Sequence, residues 1–245
     1  MKQSVFFIAM ILLTASCNKP DAPDCFTRAG DVAQETRTLE NFTRIDLHDL
    51  IELTIVEDTS ATFAIVTANE NLLDKIVTDV EANVLTIDNE NTCRFVRSFK
   101  NKVSIELHTS DLSALINYGQ GKIQSTNQLK TDVFFYEQNH GVGDVDLSLE
   151  ADSVSVICHT GIGNIKLTGT TQKVGLFNGG YGVIDARYLQ SEQAFVNNSS
   201  VNDIYVNFSE YLFASISLDG NIYYSGPSAN VEPIIQGSGE LIPLD

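Results

Sequence analysis

Histidine is the residue type most often found in metal and acid–base sites, and the chain holds four: His48, His108, His140 and His159. Their spacing matches no metal-ligand pattern. The last two each stand just before a glycine-rich turn, so they are expected to lie near each other as polar turn residues. Ser199 and Ser200 have no His or Asp partner at a spacing that would suggest a catalytic triad.

Lyase chemistry on acidic polysaccharides needs a cationic residue beside acidic metal ligands, so carboxylates and cations must occur together in such a site. Beyond Lys130 the chain holds only three cations, which do not recur at one position: Lys166, Lys173 and Arg187. Three aspartates could gather near turns, either as solvated turn residues or as a weak Ca²⁺ site: Asp144, Asp146 and Asp203. The sequence therefore predicts no catalytic residue, no cofactor and no dedicated metal site, and the protein is predicted not to be an enzyme.

The elements that position these residues are marked by a recurring phrase of Gly, any residue, Gly, a polar residue, then Ile, Val or Leu. Its second glycine recurs at intervals of 18 to 22 residues, with a degenerate copy at Asn202, at the following positions: Gly121, Gly143, Gly163, Gly182, Gly220 and Gly239. These glycines are interpreted as structural turns, since glycine enters left-handed backbone conformations without a Cβ clash. A fixed period near twenty residues is typical of a solenoid.

Two short alternating runs in each repeat read as strands with one buried face. With no helical segment in the repeat, the unit fits one coil of an all-β parallel β-helix whose coils hold about 20 residues. One equivalent position should form an inward row along the solenoid: Val145, Ile165, Ile184, Ile204 and Ile222. Tyr205 and Tyr223 follow two of these residues and should face outward on adjacent coils. They could form a glycan platform or simply cover the sheet.

Residues 39–112 lack the glycine phrase but remain rich in strand-like runs. Residues 76–80 and 84–87 read as a hairpin, with Asn83 suited to a left-handed turn position. A single helical turn is expected at residues 70–74. This β-rich part is predicted to cap the repeat coils of residues 113–245 within one domain, residues 39–245.

The first residues carry an export message of their own. Lys2, the apolar stretch 5–13 and the small residues before Cys17 resemble a bacterial lipoprotein signal. The resemblance implies a signal peptide over residues 1–16, lipidation of Cys17 and a membrane attachment through that anchor. The polar residues 17–38 then suit a tether.

The net charge of the chain limits its possible binding partners, and its cysteines bear on the cellular compartment. A formal net charge of -17 argues against nucleic acid and against anionic lipid head groups. Cys158 ends a strand-like run and is expected to be buried. Cys25 and Cys93 lie in polar segments of an exported chain, where a disulfide between them could persist.

The whole arrangement resembles the "putative auto-transporter adhesin" family, called the head GIN domain, over roughly residues 39–242. The resemblance rests on the serial glycine phrases and on several short segments: Phe42 to Ile45, residues 70–73, residues 84–87, residues 224–227 and residues 237–239. It implies a right-handed parallel β-helix and an envelope role, and it carries over no ligand or active site.

The functional hypothesis is a non-enzymatic, lipid-anchored lipoprotein of the outer membrane, on its periplasmic face or on the cell surface. An adhesin-like or scaffold β-helix would bind an unidentified protein or glycan through one solenoid face. The alternative hypothesis is a glycan-binding or polysaccharide-active β-helix that uses the outward tyrosines and the turn carboxylates.

Overall fold

The computed structural model describes residues 29–92 and 102–244, and it confirms the predicted all-β solenoid, with about 6 turns. Seven strands precede the repeats: β1 (Val32–Thr38), β2 (Arg44–Leu47), β3 (Ile51–Glu57), β4 (Phe63–Asn69), β5 (Ile76–Glu81), β6 (Val84–Asn89) and β7 (Val103–Thr109). Ten more build the coils: β8 (Ala114–Asn117), β9 (Ile123–Ser125), β10 (Leu129–Gln138), β11 (Val145–Cys158), β12 (Ile165–Asn178), β13 (Ile184–Asn198), β14 (Ile204–Ile216), β15 (Ile222–Ser225), β16 (Val231–Ile235) and β17 (Leu241–Pro243).

In the repeats, each coil stacks on the next coil of the chain through parallel pairing. The predicted inward row is confirmed, because its members pair in register and are at most 1% exposed: Val145, Ile165, Ile184, Ile204 and Ile222. Burying one such side chain contributes roughly 1.5–3 kcal/mol. The row therefore forms a continuous apolar spine along the core.

In the cap, the coils do not follow chain order. β2 lies between β6 and β8, and β3 lies between β7 and β9, all in parallel. The coil of β2 and β3 is thus held between the pair β6 and β7 on one side and the pair β8 and β9 on the other. Antiparallel strands complete this end, with β1 on β4, β4 on β7 and β5 on β6.

Two local predictions in the cap are confirmed. The hairpin β5–β6 turns through Ala82 and Asn83, whose φ angles of 50° and 66° are those of the tight turn that suits strand twist. A single helical turn occurs at Glu70–Lys75, where it buries Leu72 and Leu73. The hairpin and the turn therefore needed only local sequence to be found.

The tether prediction needs correction at its end. Val32–Thr38 is not a tether but strand β1, which pairs along its whole length with β4. Most of its side chains are exposed, and only Ala33 and Arg37 are half-buried, so its order comes from the backbone pairing with β4. Cys17, Cys25 and Cys93 lie outside the described residues, together with the signal peptide and the possible disulfide.

The reason given for the turn glycines is wrong as well. None of the six second glycines has a left-handed φ; within the phrases only Gly161 does. A Cβ built on each of the six would instead fall less than 3.0 Å from a backbone carbonyl oxygen of the neighbouring coil, for example from that of Gly143 when built on Gly163. Glycine is required here because two backbones approach closely, and not because of the backbone angle.

Candidate functional site

The middle residue of the glycine phrase is apolar and exposed on four successive coils. We call these four residues the turn ridge, and their side chains are 46%, 60%, 66% and 52% exposed in the order Val142, Ile162, Tyr181 and Val201. Coils lie roughly 4.8 Å apart, so the ridge runs along the solenoid axis for about 15 Å between its first and last Cα atoms. Scattered exposed apolar residues are ordinary on protein surfaces, whereas a contiguous apolar row is a candidate interaction site.

The ridge points outward because the flanking glycines press against the coil below. The backbone N–H of Ile162 donates to the carbonyl of Gly141 at 3.2 Å, and that of Tyr181 donates to Gly161 at 2.7 Å. With the backbone held at that distance, the side chain between the two glycines can only face solvent. The ridge is therefore a rigid feature of the turns.

Beside the ridge, polar side chains bind the backbone of the following coil. Asp144 Oδ1 accepts from the backbone and side-chain nitrogens of Asn164 at 2.9 and 3.2 Å, and Asn164 Oδ1 accepts from Val183 N at 3.1 Å. Asp203 Oδ1 accepts from Asn221 N at 2.9 Å. These bonds give the turn carboxylates a structural task at the seam between coils.

The predicted gathering of aspartates is not observed. Asp144 and Asp203 are separated by three coils, and Asp146 points to Lys166, whose Nζ lies 3.3 Å from its Oδ2. Over residues 29–92 and 102–244, no group of three or more His, Cys, Asp or Glu side chains is placed to hold a metal ion.

A column of buried polar residues, which the sequence analysis missed, stands inside the same corner. Its members are at most 1% exposed and pair in register from coil to coil: Asn117, Gln138, Cys158, Asn178 and Asn198. The signal was present, since each stands four or five residues before a second phrase position and ends an apolar strand. We call this column the inner amide column.

The inner amide column sets the shape of the ridge turns. Asn178 Nδ2 donates to Gly182 O at 3.0 Å, and its Oδ1 accepts from Gly180 N at 3.1 Å, so one side chain braces both glycines of the phrase. Asn198 repeats this on the next coil with Asn202 O and Ser200 N. Buried amides that satisfy backbone groups in this way hold a single turn geometry.

Toward the cap, the column changes residue type but stays bonded. Tyr136 OH accepts from Asn117 Nδ2 at 3.1 Å and donates to Gln138 Oε1 at 2.9 Å. Burial raises the pKa of the Tyr136 phenol far above its ordinary value. Burial also raises the pKa of Cys158, which is buried and unbonded to another cysteine. Both groups are thus kept neutral.

The predicted tyrosine pair lies on adjacent coils, and its rings stack on each other. The centroids of Tyr205 and Tyr223 are 4.8 Å apart with an 11° angle between planes. The guanidinium of Arg187, held by Asp185, lies 3.9 Å from the Tyr205 centroid on the neighbouring coil. Stacking along the axis leaves ring edges, more than faces, toward solvent, which limits the area available to a sugar.

A second surface feature is an open groove of about 840 Å³ at another corner of the solenoid. Its walls are polar, with threonines and the side chains of Asp132, Glu150, Asp152 and Gln172. Lys130 lies 3.0 Å from Glu150, and Gln172 donates to Asp152 at 2.7 Å. The groove therefore offers many hydrogen-bonding groups.

The four histidines occupy separate places. His48 stacks on Tyr118 at 4.8 Å, and His108 contacts Asp58 and Glu106 at 3.0 Å each. His159 lies 3.3 Å from Glu137 and His140 stands at the preceding turn with a φ of 64°. Three of the rings therefore have local partners, while at His140 it is the backbone N–H that donates, to Thr160 Oγ1 at 3.1 Å.

Comparison with known proteins decides the family. The model of the family described as "Putative auto-transporter adhesin, head GIN domain" matches residues 41–228. This chain belongs to the head GIN domain family. No curated protein matches it.

Solved structures share the fold of this head GIN domain protein. A "putative adhesin" from Bacteroides fragilis is similar at 25% identity and a TM-score of 0.80, over 87% of this chain and 97% of that one. A "putative adhesin" and a "putative lipid binding protein" from Parabacteroides distasonis have TM-scores of 0.69 and 0.67 at 19% and 21% identity. Each covers 88% of this chain and 98% of its own.

In the parts of this head GIN domain protein that the structure describes, no helix has the length and apolar character needed to cross a bilayer.

Proposed function

We propose that this head GIN domain protein is a non-enzymatic adhesin or scaffold of the cell envelope that binds a protein partner through the turn ridge. One observation carries the proposal: four apolar side chains, each about half exposed or more, occupy the same turn position on four successive coils. A protein with a net charge of -17 gains solubility from its charges, so an apolar row maintained beside them points to a contact surface.

The anchor is part of the same proposal. Lipidation of Cys17 would hold the protein on the outer membrane, facing the periplasm or the cell exterior. The chain would enter the domain at β1, which lies at the cap end of the solenoid. A ridge along the side of the body is then displayed away from the point of attachment.

Binding to immobilised films tests the ridge. The wild-type chain and the double variant Ile162→Ser, Tyr181→Ser are applied to collagen and mucin films, with Val32→Ser as the control because Val32 is 72% exposed and lies in β1, outside both the ridge and the groove. We expect retention on at least one film, about tenfold weaker retention for the double variant and unchanged retention for the control. Equal retention of all three proteins would refute the ridge.

Orientation is tested by protease treatment of intact cells carrying an epitope-tagged copy, with lysed cells as the control. Loss of the tag from intact cells supports an adhesin on the cell surface. Protection until lysis supports a periplasmic scaffold and argues against adhesion to other cells.

Glycan binding is a second candidate, favoured by the polar groove at the other corner. Its Thr, Gln and carboxylate side chains can hydrogen-bond sugar hydroxyls on several coils at once. A glycan array separates the two candidates: Gln172→Ala should abolish array signals that depend on the groove, while Ile162→Ser should leave them unchanged.

A further inference from the structure

The coil of β16 and β17 lies at one end of the described stack. Among the described strands, β16 pairs only with β14 and β17 pairs only with β15, so each presents one unpaired edge along the axis. Its inward positions continue the core columns, since Val231, Pro233 and Ile235 pair with Leu212, Ala214 and Ile216. An apolar edge of this kind is a ready template for another strand.

Hydrogen bonds show which residues face that edge. Gln236 N donates to Ile216 O at 2.8 Å, so the backbone N–H and C=O groups of Gln236 face β14. Every second residue back along β16 from Gln236 faces β14 in the same way. Leu244 N donates to Tyr224 O at 2.7 Å, which fixes β17 in the same way. Because backbone groups alternate sides along a strand, Pro233 and Pro243 face the open edge.

Proline has no backbone N–H, and its ring projects where the donor would be. Each strand of the last coil therefore lacks a donor at a position that a further strand would need. All three prolines of the described residues belong to this coil, and only Pro227 lies outside its strands. Prolines confined to the free side of edge strands are a known way to prevent edge-to-edge pairing.

We propose that Pro233 and Pro243 stop a second copy of this chain from adding to the open end by strand pairing. The end remains apolar, with Ile235 50% exposed, but it cannot offer the full hydrogen-bond row that would extend the solenoid. The inference is independent of the partner of the turn ridge.

The opposite end is closed by different means. The pairing Ile76↔Asn89 together with the bond from Glu90 N to Lys75 O turns the Ile76 carbonyl to the free edge of β5. Arg37 reaches over from β1 and donates to that carbonyl and to Thr78 Oγ1. A guanidinium thus covers an acceptor at one end, while missing donors protect the other.

Sedimentation velocity of the full chain tests the proposal, in a Cys17→Ser background that removes the acylation site from every variant. The double variant Pro233→Val, Pro243→Val restores both donors, and Pro227→Ala is the control that changes a proline outside the edge. We expect the background and control proteins to stay monomeric as concentration rises. The double variant should at least double its weight-average mass and form rods elongated along the axis by electron microscopy.

Melting temperature confirms that each variant is folded. If the double variant does not fold, the single variants Pro233→Val and Pro243→Val each reopen one strand edge and should show weaker association. A folded variant that stays monomeric, or a background protein that already associates to the same extent, overturns the proposal.

Discussion

The cap and the body of this solenoid bury similar side chains but connect them differently. In the body, partners across neighbouring coils lie about 20 residues apart, as in Val145↔Ile165. In the cap, Arg44 pairs with Ala114, 70 residues away, and on its other side with Val84. A period therefore appears in the sequence only where coils that are adjacent in space are also adjacent in the chain.

The two regions also fix their turns by different means. Body turns depend on close backbone contact at the glycines and on the inner amide column. Cap turns depend on local conformation, as at Ala82 and Asn83, and on side chains at the surface such as Arg37. Substitutions at the body turns should therefore destabilise the fold by steric clash between coils. Substitutions at the cap turns should destabilise it by forcing an unfavourable backbone conformation.

The largest expected effect is that of Gly163→Val in the body. A side chain here must separate two backbones, because even a Cβ would lie less than 3.0 Å from the Gly143 carbonyl. We expect a loss of about 3 kcal/mol or more in the free energy of unfolding, measured by urea denaturation. Gly175→Ala is the matched control, since its Cβ would meet only Ser155 Oγ at 3.8 Å. Similar losses for both variants would contradict the close-approach explanation.

Replacing an inner amide should rank next. Asn178→Leu leaves Gly180 N and Gly182 O without their partner in a fully buried place. The expected loss is about 2–4 kcal/mol. Asn164→Ala, which removes comparable bonds at the exposed seam, should cost less than about 1 kcal/mol because water replaces them. Equal costs would show that burial of the column is not what matters.

In the cap, Asn83→Val should destabilise through backbone conformation alone. A β-branched residue resists a φ of 66°, so about 1–2 kcal/mol is expected by the same denaturation assay. Asn83→Gly keeps the turn and should stay within about 0.5 kcal/mol of wild type. A neutral valine variant would mean that the hairpin tolerates another turn type.

The smallest effect is a pH dependence confined to the cap. Burial lowers the pKa of His108, but the hydrogen bonds that its ring donates to Glu106 and Asp58 outweigh burial and raise that pKa above its ordinary value. The contribution of the protonated ring to stability is therefore complete at pH values below the pKa that His108 has in the unfolded chain. It is lost as the pH rises through the pKa that His108 has in the folded protein. The melting-temperature difference between wild type and His108→Gln should shrink as the pH rises above about 6.5, the ordinary pKa of histidine. Glu106→Gln should weaken this trend; a constant difference would contradict it.

Acid should affect the same cluster in the other direction. Hydrogen bonds from Ser60, with a further one from His108, lower the pKa of Asp58 to about 2. Ionised Asp58 therefore stabilises the fold fully at pH values above the pKa that this carboxyl has in the unfolded chain. That contribution is lost as the pH falls toward 2.

Much of the body was predictable because the same pattern of inward apolar residues and turn residues repeats in every coil. The inward row, the turn positions and the outward direction of Tyr205 follow from alternation and period. The positive φ assigned to Gly163 did not hold, since a sequence shows that a side chain is absent without showing whether angle or space forbids it. The turn ridge and the inner amide column both recur in the repeats, as at Ile162 and Asn178. They were not predicted because the interpretation of each turn rested on the glycines beside them.

The cap resisted prediction for a topological reason. Strand β1 has the polar composition of a linker, and only its partner β4 shows why it is ordered. The interleaving of β2 between β6 and β8 depends on contacts between distant segments, which leave no local signature.

That interleaving has a consequence for synthesis. Strands β2 and β3 are made early, yet their neighbours in the stack, β6 with β7 and β8 with β9, are made later. Contacts of long sequence separation form slowly, since loop closure must precede the stabilising contacts. The chain must therefore be synthesised as far as about residue 125 before the coil of β2 and β3 can pair on both of its sides. Each later coil can then pair with a coil that is already formed, so the solenoid is completed in the direction of synthesis.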